Sequence, residues 1–454
     1  MDLQQSFMPL LIALGWMSGL LLIGTLIRAK VAIFQKYLFP ASLIGGILGF
    51  ILISAGAVRV PHEAFALIGF HLFSLGFVSI GLTGSGGIKG VGKTVLKGSL
   101  WMALIWTASL SIQSTIGFGV LSGLNTIATP VFEGLGFLAG HGFTQGPGQT
   151  VAIAAIWENA FKVPDAVSVG LTFAAAGFFV SAFVGVTIAN WGVRKGFASN
   201  TPKDLPESFL KGILEKGSNE SAGNLTVHPA NIDTFAFQLA LLFGTYGLAY
   251  ILCYFLNAYV FTGNLAKLTF GFIFIYGLIL AIIVRVIIDK LGIGYLVDSN
   301  IQRRISGSTV DYMIVAVLMA VKITVLLKYI VPIVSIIFLV TMVTVFYILY
   351  FGRRTKAYAF ERTVAMFGYC TGTAASGLLL LRIVDPEFKT PVAMEIGFMN
   401  LWAILTATHI LMLVGTVPSP DTLSVAAMAG VHALTAVVLI ILLKVFRLSG
   451  NKVY

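Results

Sequence analysis

A polar stretch rich in glycine, Leu138 to Phe161, lies between two long apolar runs and limits the possible folds more than any other feature. Its glycines and Pro147 prevent an unbroken helix. Non-helical backbone exists at membrane depth only where protein or water surrounds it, because lipid cannot hydrogen-bond the freed amides. We therefore expect this stretch to be enclosed by protein or to line a water-filled cavity. A second stretch of the same kind, Phe367 to Arg382, is expected to meet it and form a binding site.

The rest of the chain has the composition of an integral membrane protein. Of its 454 residues, 57% are hydrophobic and only 10% are charged, whereas a soluble domain carries about 25% charge. The apolar runs are about 20 residues long and lack the alternation of a β-barrel, which predicts an all-α polytopic fold. No HExxH or GxSxG motif and no paired membrane aspartates are present, so the sequence does not predict an enzyme.

The net charge of +11 does not predict nucleic-acid binding, because the basic residues lie in short loops between apolar runs. The two cysteines, Cys253 and Cys370, lie in apolar surroundings and predict neither a disulfide nor a metal cluster. Residues Gly87 to Thr94 match the phosphate-binding pattern GxxxxGK[ST]. No soluble domain surrounds this motif, so a loop with anchoring lysines explains it better. No cofactor is expected.

The order of spans predicts two related halves. Apolar spans lie at about 8–27, 37–58, 64–82, 98–120 and 167–190 before the polar linker, and at about 233–257, 267–288, 308–328, 332–350 and 391–415 after it. Each half has four apolar spans, a broken segment and a further span. Five spans precede the polar linker, so the second half enters from the opposite side, as in inverted-topology repeats. The predicted domains are an N-terminal repeat at 1–190 with a re-entrant hairpin at about 130–161, a cytoplasmic linker at 191–232, a C-terminal repeat at 233–415 with a hairpin at about 363–385, and an extra C-terminal helix and tail at 416–454.

The positive charges orient these spans. With the N-terminus outside, all but five of the 29 lysines and arginines lie on the cytoplasmic side or near its helix ends. This bias predicts that the first broken segment enters from outside and the second from inside. It also places the linker and the C-terminus in the cytoplasm.

The first broken segment has the chemistry of an anion and cation site. Amides at the N-terminus of a half-helix suit a carboxylate, whereas carbonyl and hydroxyl oxygens suit Na+. A glycine-rich packing surface is the alternative, but polar residues in a bilayer are costly and usually functional. His141 either carries protons or orients the substrate. The candidate substrate-binding residues here are Gly140, His141, Gly142, Thr144 and Gln145.

The second broken segment offers hydroxyls and small residues. The candidates are Thr371, Gly372, Thr373 and Ser376, and a small-residue helix contact is the alternative. Arg382 can pair with a substrate carboxylate, anchor the inner helix end or pair with Asp385, and the sequence does not separate these roles. Lys322 lies in an apolar span, where snorkelling to the outer interface is preferred.

Three short motifs resemble the bacterial sodium:glutamate symporter family. They are Pro40-Ala41-Ser42-Leu43-Ile44-Gly45-Gly46, Phe77-Val78-Ser79-Ile80-Gly81-Leu82 and Gly140-His141-Gly142. Their order and spacing carry the resemblance over most of residues 8–415. The fold it implies is two inverted repeats, each of five transmembrane helices and a re-entrant hairpin, in a homodimer in the bacterial inner membrane.

The function that the resemblance implies is Na+-coupled symport of glutamate or a related carboxylate, with elevator-type movement. Its implied sodium ligands are Ser79, Gly81 and Thr83, and Asp311 is a further candidate; no other metal is expected. Three alternatives stay open. They are a transporter of another organic anion, a transporter coupled to H+ through His141, and a channel.

Overall fold

The computed structural model describes residues 3–83, 92–127, 130–199, 206–218, 221–386 and 388–454. The phosphate-loop match at Gly87 to Thr94 falls mostly outside these residues. The helices up to the linker are α1 (Leu3–Lys30), α2 (Ala32–Lys36), α3 (Ala41–Ser54), α4 (His62–Thr83), α5 (Lys93–Leu124), α6 (Leu138–Gly140), α7 (Pro147–Phe161), α8 (Ala166–Val180), α9 (Val186–Arg194) and α10 (Glu207–Lys211).

The helices after the linker are α11 (Thr234–Phe255), α12 (Gly263–Thr269), α13 (Ile273–Lys290), α14 (Ser299–Ala320), α15 (Ile323–Lys328), α16 (Ile330–Gly352), α17 (Ala359–Cys370), α18 (Ala374–Val384), α19 (Val392–Thr416) and α20 (Val425–Val445). Short 3-10 turns span Glu133–Phe137, Phe270–Phe272 and Gly294–Leu296, and π turns span His141–Gln145, Ser181–Gly185 and Leu256–Val260.

The described residues are all helical or irregular, which confirms the all-α prediction for those parts of the chain. Nine of the described helices are long and apolar enough to cross a membrane. The span predicted at 37–58 is a helix of only 14 residues, Ala41–Ser54, because Pro40 precedes it and Gly56, with φ of +75°, follows it. The span predicted at 308–328 begins earlier, at Ser299, and is interrupted where Lys322 is extended.

The chain folds into two compact units. The first unit contains Met1–Ile23, Gly45–Gly90 and Leu214–Met319, and the second contains Gly24–Ile44, Val91–Ile213 and Ala320–Tyr454. Both broken segments belong to the second unit. The inverted repeats and their boundaries stay predictions.

In the first unit, α4 packs along α13 and α11. Gly81 allows the close approach, because a Cβ at this position would lie 2.6 Å from the Cβ of Ala281. Asp298 precedes α14 and accepts hydrogen bonds of 2.8 Å from the backbone amides of Asn300 and Ile301. It also accepts one of 3.0 Å from the amide of Asn224, which attaches the end of the polar linker to this helix.

In the second unit, the 32-residue helix α5 packs against α16, α19, α20 and the first broken segment. Most of its middle is buried, including Trp101 and Met102. Its small residues let other backbones approach closely, as is usual between membrane helices. Gly117 lies directly against Gly136, and Gly140 lies directly against Ser114. α5 is therefore the element that positions the candidate site.

Candidate functional site

The first broken segment, Glu133–Phe161, changes direction at Gly146. This residue has φ of +79° and ψ of −176°, a conformation that is essentially restricted to glycine. Pro147 then begins α7, where its missing N–H leaves no hydrogen bond unmade. The ring of Phe132 at one end of the segment lies 5.8 Å from that of Trp157 near the other end. The two ends of the segment therefore lie close together.

The second broken segment, Ala359–Val384, is also a helix pair. Its arms α17 and α18 pack closely, and a Cβ on Gly368 would lie 2.6 Å from the carbonyl oxygen of Ser376. The break is Thr371–Thr373, between the two helices. The Thr371 hydroxyl donates to the carbonyl of Phe367 at 2.7 Å, within its own arm.

The two breaks meet, as the sequence predicts. A Cβ on Gly146 would lie 2.8 Å from Cγ2 of Thr373 and 3.0 Å from the carbonyl oxygen of Gly372. The Thr144 hydroxyl also lies 3.3 Å from the carbonyl oxygen of Cys370. Whether this junction binds a substrate is a separate question, and the roles of the candidate residues stay predictions.

A hydrogen-bond network from α5 ties the two segments together. Thr144 donates through its hydroxyl to Oε1 of Gln113 at 2.7 Å. Gln113 donates through Nε2 to the carbonyl of Cys370 at 3.1 Å. The indole of Trp106 donates to the carbonyl of Thr144 at 2.9 Å. Gln113 therefore hydrogen-bonds to both segments at once.

Four buried polar atoms at this junction have no hydrogen-bond partner among the described residues. They are Nε2 of His141, Nε2 of Gln145, Oε1 of Gln149 and Oγ1 of Thr373. His141 is fully buried, and its Nδ1 lies 2.5 Å from Oε1 of Gln145. An unmade hydrogen bond on a buried group costs about 1–3 kcal/mol. Such a concentration of unmet donors and acceptors is typical of a ligand site.

The remaining substrate candidates have packing roles that the structure makes visible. A Cβ on Gly142 would lie 2.7 Å from the Cβ of Phe173 on α8, and a Cβ on Gly372 would lie 2.6 Å from Oγ of Ser376. Arg382 is exposed, more than two turns beyond the start of α18, and its guanidinium lies 5.2 Å from the ring of Phe388. Asp385 accepts instead from the amides of Lys389 and Thr390.

The predicted sodium ligands all lie in the first unit, whereas both breaks lie in the second. The Ser79 hydroxyl lies 2.6 Å from the carbonyl oxygen and 2.8 Å from Oε1 of Gln302. Thr83 donates to the carbonyl of Ser79 at 2.9 Å. Asp311 is exposed on α14. Local hydrogen bonds and packing account for Ser79, Gly81 and Thr83, and their sodium role stays a prediction.

A buried ion pair holds the base of the second segment. Arg362 on α17 donates to Glu395 on α19 through Nε at 2.8 Å and Nη2 at 2.6 Å. Only 5% and 0% of these side chains are exposed. Gly98 of α5 makes room for the carboxylate, since a Cβ there would overlap it. A bidentate pair of this kind fixes the orientation of both helices.

The end of α7 and the start of α8 border an open cleft of about 300 Å³. Glu158 accepts from the amide of Val167 at 2.8 Å, and Lys328 pairs with Asp165 at 2.7 Å. Lys322 also borders this cleft, and its snorkelling to the outer interface stays a prediction. These contacts are local and do not reach the junction of the breaks.

Sequence reasoning missed the residues of α5 that serve the site. Ser109, Gln113 and Ser114 lie in an apolar run, and all three are buried. Polar side chains in a membrane span are costly, so this cluster was a usable signal. It also missed His432 on α20, because nothing in the sequence relates that helix to the first broken segment.

Comparison with known proteins gives one family match. The sequence pattern of the sodium/glutamate symporter family matches residues 8–377. No curated protein matches the chain. Among solved structures, the chain is similar to the sodium proton antiporter MjNhaP1 from Methanocaldococcus jannaschii, with 14% identity, a TM-score of 0.31, and coverage of 96% of this chain and 98% of that chain.

The family match spans well over half of the chain and includes the first broken segment and most of the second. The nine long apolar helices of the described residues agree with a multi-pass membrane protein. The chain therefore belongs to the sodium/glutamate symporter family and is a Na+-coupled transporter, not an enzyme.

Proposed function

We propose that this protein imports glutamate or a closely related carboxylate together with Na+ across the bacterial inner membrane. One observation carries the proposal: two broken segments meet in a single compact unit, and four buried polar atoms at their junction have no partner among the described residues. Broken helices that meet at matching positions are the usual construction of a transport site.

The junction has suitable groups for a carboxylate. Nε2 of Gln145 and the hydroxyl of Thr373 can donate, and neither has a partner among the residues that the structure describes. The helices α7 and α18 both begin at the breaks, and the first amides of a helix lack partners inside it and favour an anion. A substrate carboxylate placed here would satisfy groups that are otherwise unpaired.

Both broken segments are proposed to be re-entrant, the first from outside and the second from inside. The contact between Phe132 and Trp157 and the packing of α17 on α18 support hairpin geometry. The distribution of lysine and arginine supports the orientation, with the N-terminus outside and the linker and C-terminus in the cytoplasm.

The proposed movement is of the elevator type. The second unit, which contains both breaks, would carry the substrate, and the first unit would provide the contact of a homodimer. Sodium binding at Ser79, Gly81, Thr83 and Asp311 belongs to the same proposal. The known coupling of the family to Na+ supports the coupling ion, and the resemblance supports the dimer and the movement.

Uptake of labelled glutamate by proteoliposomes tests the proposal. An inward Na+ gradient is expected to drive accumulation above the external concentration, because symport couples the two gradients. Equal uptake with and without Na+ would contradict coupling to Na+. Equilibration of glutamate without accumulation would favour a channel. Uptake of other organic anions but not of glutamate would reassign the substrate.

A matched pair of variants tests whether the substrate binds at the junction of the two breaks. Thr144→Val removes the hydroxyl that bonds Gln113 and is expected to lower uptake about tenfold or more. Thr408→Val removes a hydroxyl that bonds only Ile404 of its own helix, and is expected to leave uptake near wild type. Equal effects of the two variants would contradict a site at the junction.

A further inference from the structure

The C-terminal helix α20 brings a histidine to the first broken segment. α20 packs along α5, and His432 on its buried face is fully enclosed. The ring of His432 lies 5.3 Å from that of Phe137 and 6.4 Å from that of His141. Neighbours on the same face, Met428 and Leu439 among them, are apolar. A single polar residue on such a face needs an explanation.

Packing alone does not explain why a histidine occupies position 432. Neither Nδ1 nor Nε2 of His432 has a hydrogen-bond partner in the described part of the chain. A phenylalanine would fill the same space against Phe137 without this penalty, since each unmet buried group costs about 1–3 kcal/mol. The free Nε2 of His141 lies on the neighbouring ring. Both histidines thus keep hydrogen-bonding capacity for which the described residues offer no partner.

The direction of the hydrogen bonds can be assigned. Oε1 of Gln145 only accepts, so Nδ1 of His141 donates to it, and a neutral ring then keeps a lone pair on Nε2. A neutral His432 also has one accepting nitrogen. Oε1 of Gln149 is a third free acceptor, and this side chain is only 8% exposed. The helix α20 contains no carboxylate, and neither does α5.

The two histidines are neighbours, each has an acceptor without a partner among the described residues, and neither α5 nor α20 carries a carboxylate; this chemistry suits an ammonium group. An ammonium group has three N–H donors and accepts nothing. Two hydrogen bonds of about 2.9 Å through one shared nitrogen span up to about 5.8 Å between acceptor atoms. The ring centroids of His141 and His432 lie 6.4 Å apart, so the two rings are near enough for one bound group to contact both.

We propose that His432, together with His141, binds the ammonium group of an amino-acid substrate and so distinguishes it from a dicarboxylate without nitrogen. This inference rests on the proposed function, because it concerns the same site. In this arrangement the first segment and α20 bind the ammonium group, and the hydrogen-bond donors at the two breaks bind the carboxylates. The helix that follows the two predicted repeats thereby contributes to specificity.

Calorimetric binding in lipid nanodiscs at saturating Na+ tests the inference, with L-glutamate and glutarate as the two ligands. Wild-type protein is expected to prefer glutamate by at least about tenfold. His432→Phe keeps the ring against Phe137 but has no nitrogen. It is expected to weaken glutamate binding about 10- to 100-fold, as the loss of a buried hydrogen bond to a charged group does. Glutarate binding is expected to change by less than about threefold.

Three further variants control the measurement. Met428→Leu conserves volume on the same buried face and is expected to leave both affinities unchanged. His432→Gln keeps an acceptor and is expected to retain part of the preference, and His432→Leu supplies a second apolar replacement. Variants are compared only if their melting temperatures match that of the wild type.

The outcomes separate this inference from the proposed function. Equal losses for glutamate and glutarate in both apolar variants would overturn the ammonium role, and so would unchanged glutamate affinity. Wild-type binding of glutarate as tight as that of glutamate would overturn it too, while leaving carboxylate transport intact. Wild-type protein that binds neither ligand with Na+ present would overturn both.

Discussion

The two broken segments look alike in sequence but differ in how they are built. The first contains a 3-10 turn, a π turn and a glycine with φ of +79°, and it leaves polar side-chain atoms unpaired. The second consists of two regular helices, and its Thr371 hydroxyl is satisfied inside its own arm. Irregular backbone and unmet polar groups are features of functional sites. We propose that the first segment makes most of the polar contacts with the substrate, and that Thr373, whose hydroxyl has no partner among the described residues, adds one from the second.

The bases of the segments differ as well. The first is closed by aromatic contact between Phe132 and Trp157, whereas the second is held by the buried pair Arg362–Glu395. Glu395→Ala leaves a buried guanidinium unpaired and is expected to lower the free energy of unfolding by about 3–5 kcal/mol. Thermal melting in detergent measures this loss. Replacing both residues by leucine and methionine is expected to cost less, and an equal loss would contradict a role for the unpaired charge.

The breaks themselves are expected to respond differently to an added methyl group. Gly146→Ala forces a residue with a Cβ into a glycine-only conformation, at about 1–3 kcal/mol, and brings it against the second segment. Uptake is expected to fall to near background. In Gly372→Ala the added methyl overlaps only Oγ of Ser376, which can rotate away, and lies 3.0 Å from Cβ of Ser376, so a smaller loss of uptake is expected. A larger loss for Gly372→Ala than for Gly146→Ala would reverse the comparison.

The threonines of the two segments sharpen the same contrast. Thr144→Val leaves Oε1 of Gln113 without its donor and is expected to destabilise the protein by about 1–3 kcal/mol. Thr371→Val removes a hydroxyl that bonds only its own helix and is expected to be close to neutral. Melting temperatures of the two variants measure the difference. Equal melting temperatures would contradict the inference that the Thr144 hydroxyl stabilises the protein more than the Thr371 hydroxyl does.

The smallest effect is expected outside both segments, at Asp298. Burial alone would raise the pKa of this carboxyl, but hydrogen bonds from the backbone of Ile301, Asn224 and Asn300 and from the Asn224 side chain outweigh it and lower the pKa. A lowered pKa gives stability that is present above the unfolded pKa of about 3.9 and is lost as the pH falls through the folded pKa.

Asp298→Asn is therefore expected to cost about 1 kcal/mol at neutral pH and to remove this part of the acid sensitivity. Melting curves of the variant and the wild type between pH 3 and 7 measure both effects. A variant that loses stability on acidification as steeply as the wild type would contradict the role of this carboxylate.

Sequence alone predicted the membrane class, the helices and the positions of both breaks. It did so because glycine, proline and polar residues at membrane depth have few structural solutions. It also predicted that the breaks meet, which the approach of Gly146 to Gly372 and Thr373 confirms. The start of α14 was misjudged, because the polar residues from Ser299 resemble a loop until Asp298 is seen at the head of the helix.

The partners of the breaks could not be predicted. Gln113 lies 31 positions from Thr144, and His432 is still farther along the chain from His141. Helix periodicity relates residues a few positions apart, but it does not say which helices become neighbours. These contacts depend on how α5 and α20 pack, and a single sequence does not show which helices they pack against.

The length of α5 has a consequence for the lipid that surrounds the protein. A helix of 32 residues is about 48 Å long, whereas the hydrocarbon core of a bilayer is about 30 Å thick. The helix must tilt or project from the hydrocarbon, and its angle then depends on bilayer thickness. Trp106, Gln113 and Ser114 connect this helix to the first broken segment, so a change in its tilt is expected to shift these contacts and to alter transport. Vesicles of short-chain and long-chain phosphatidylcholine should therefore differ in uptake at the same Na+ gradient.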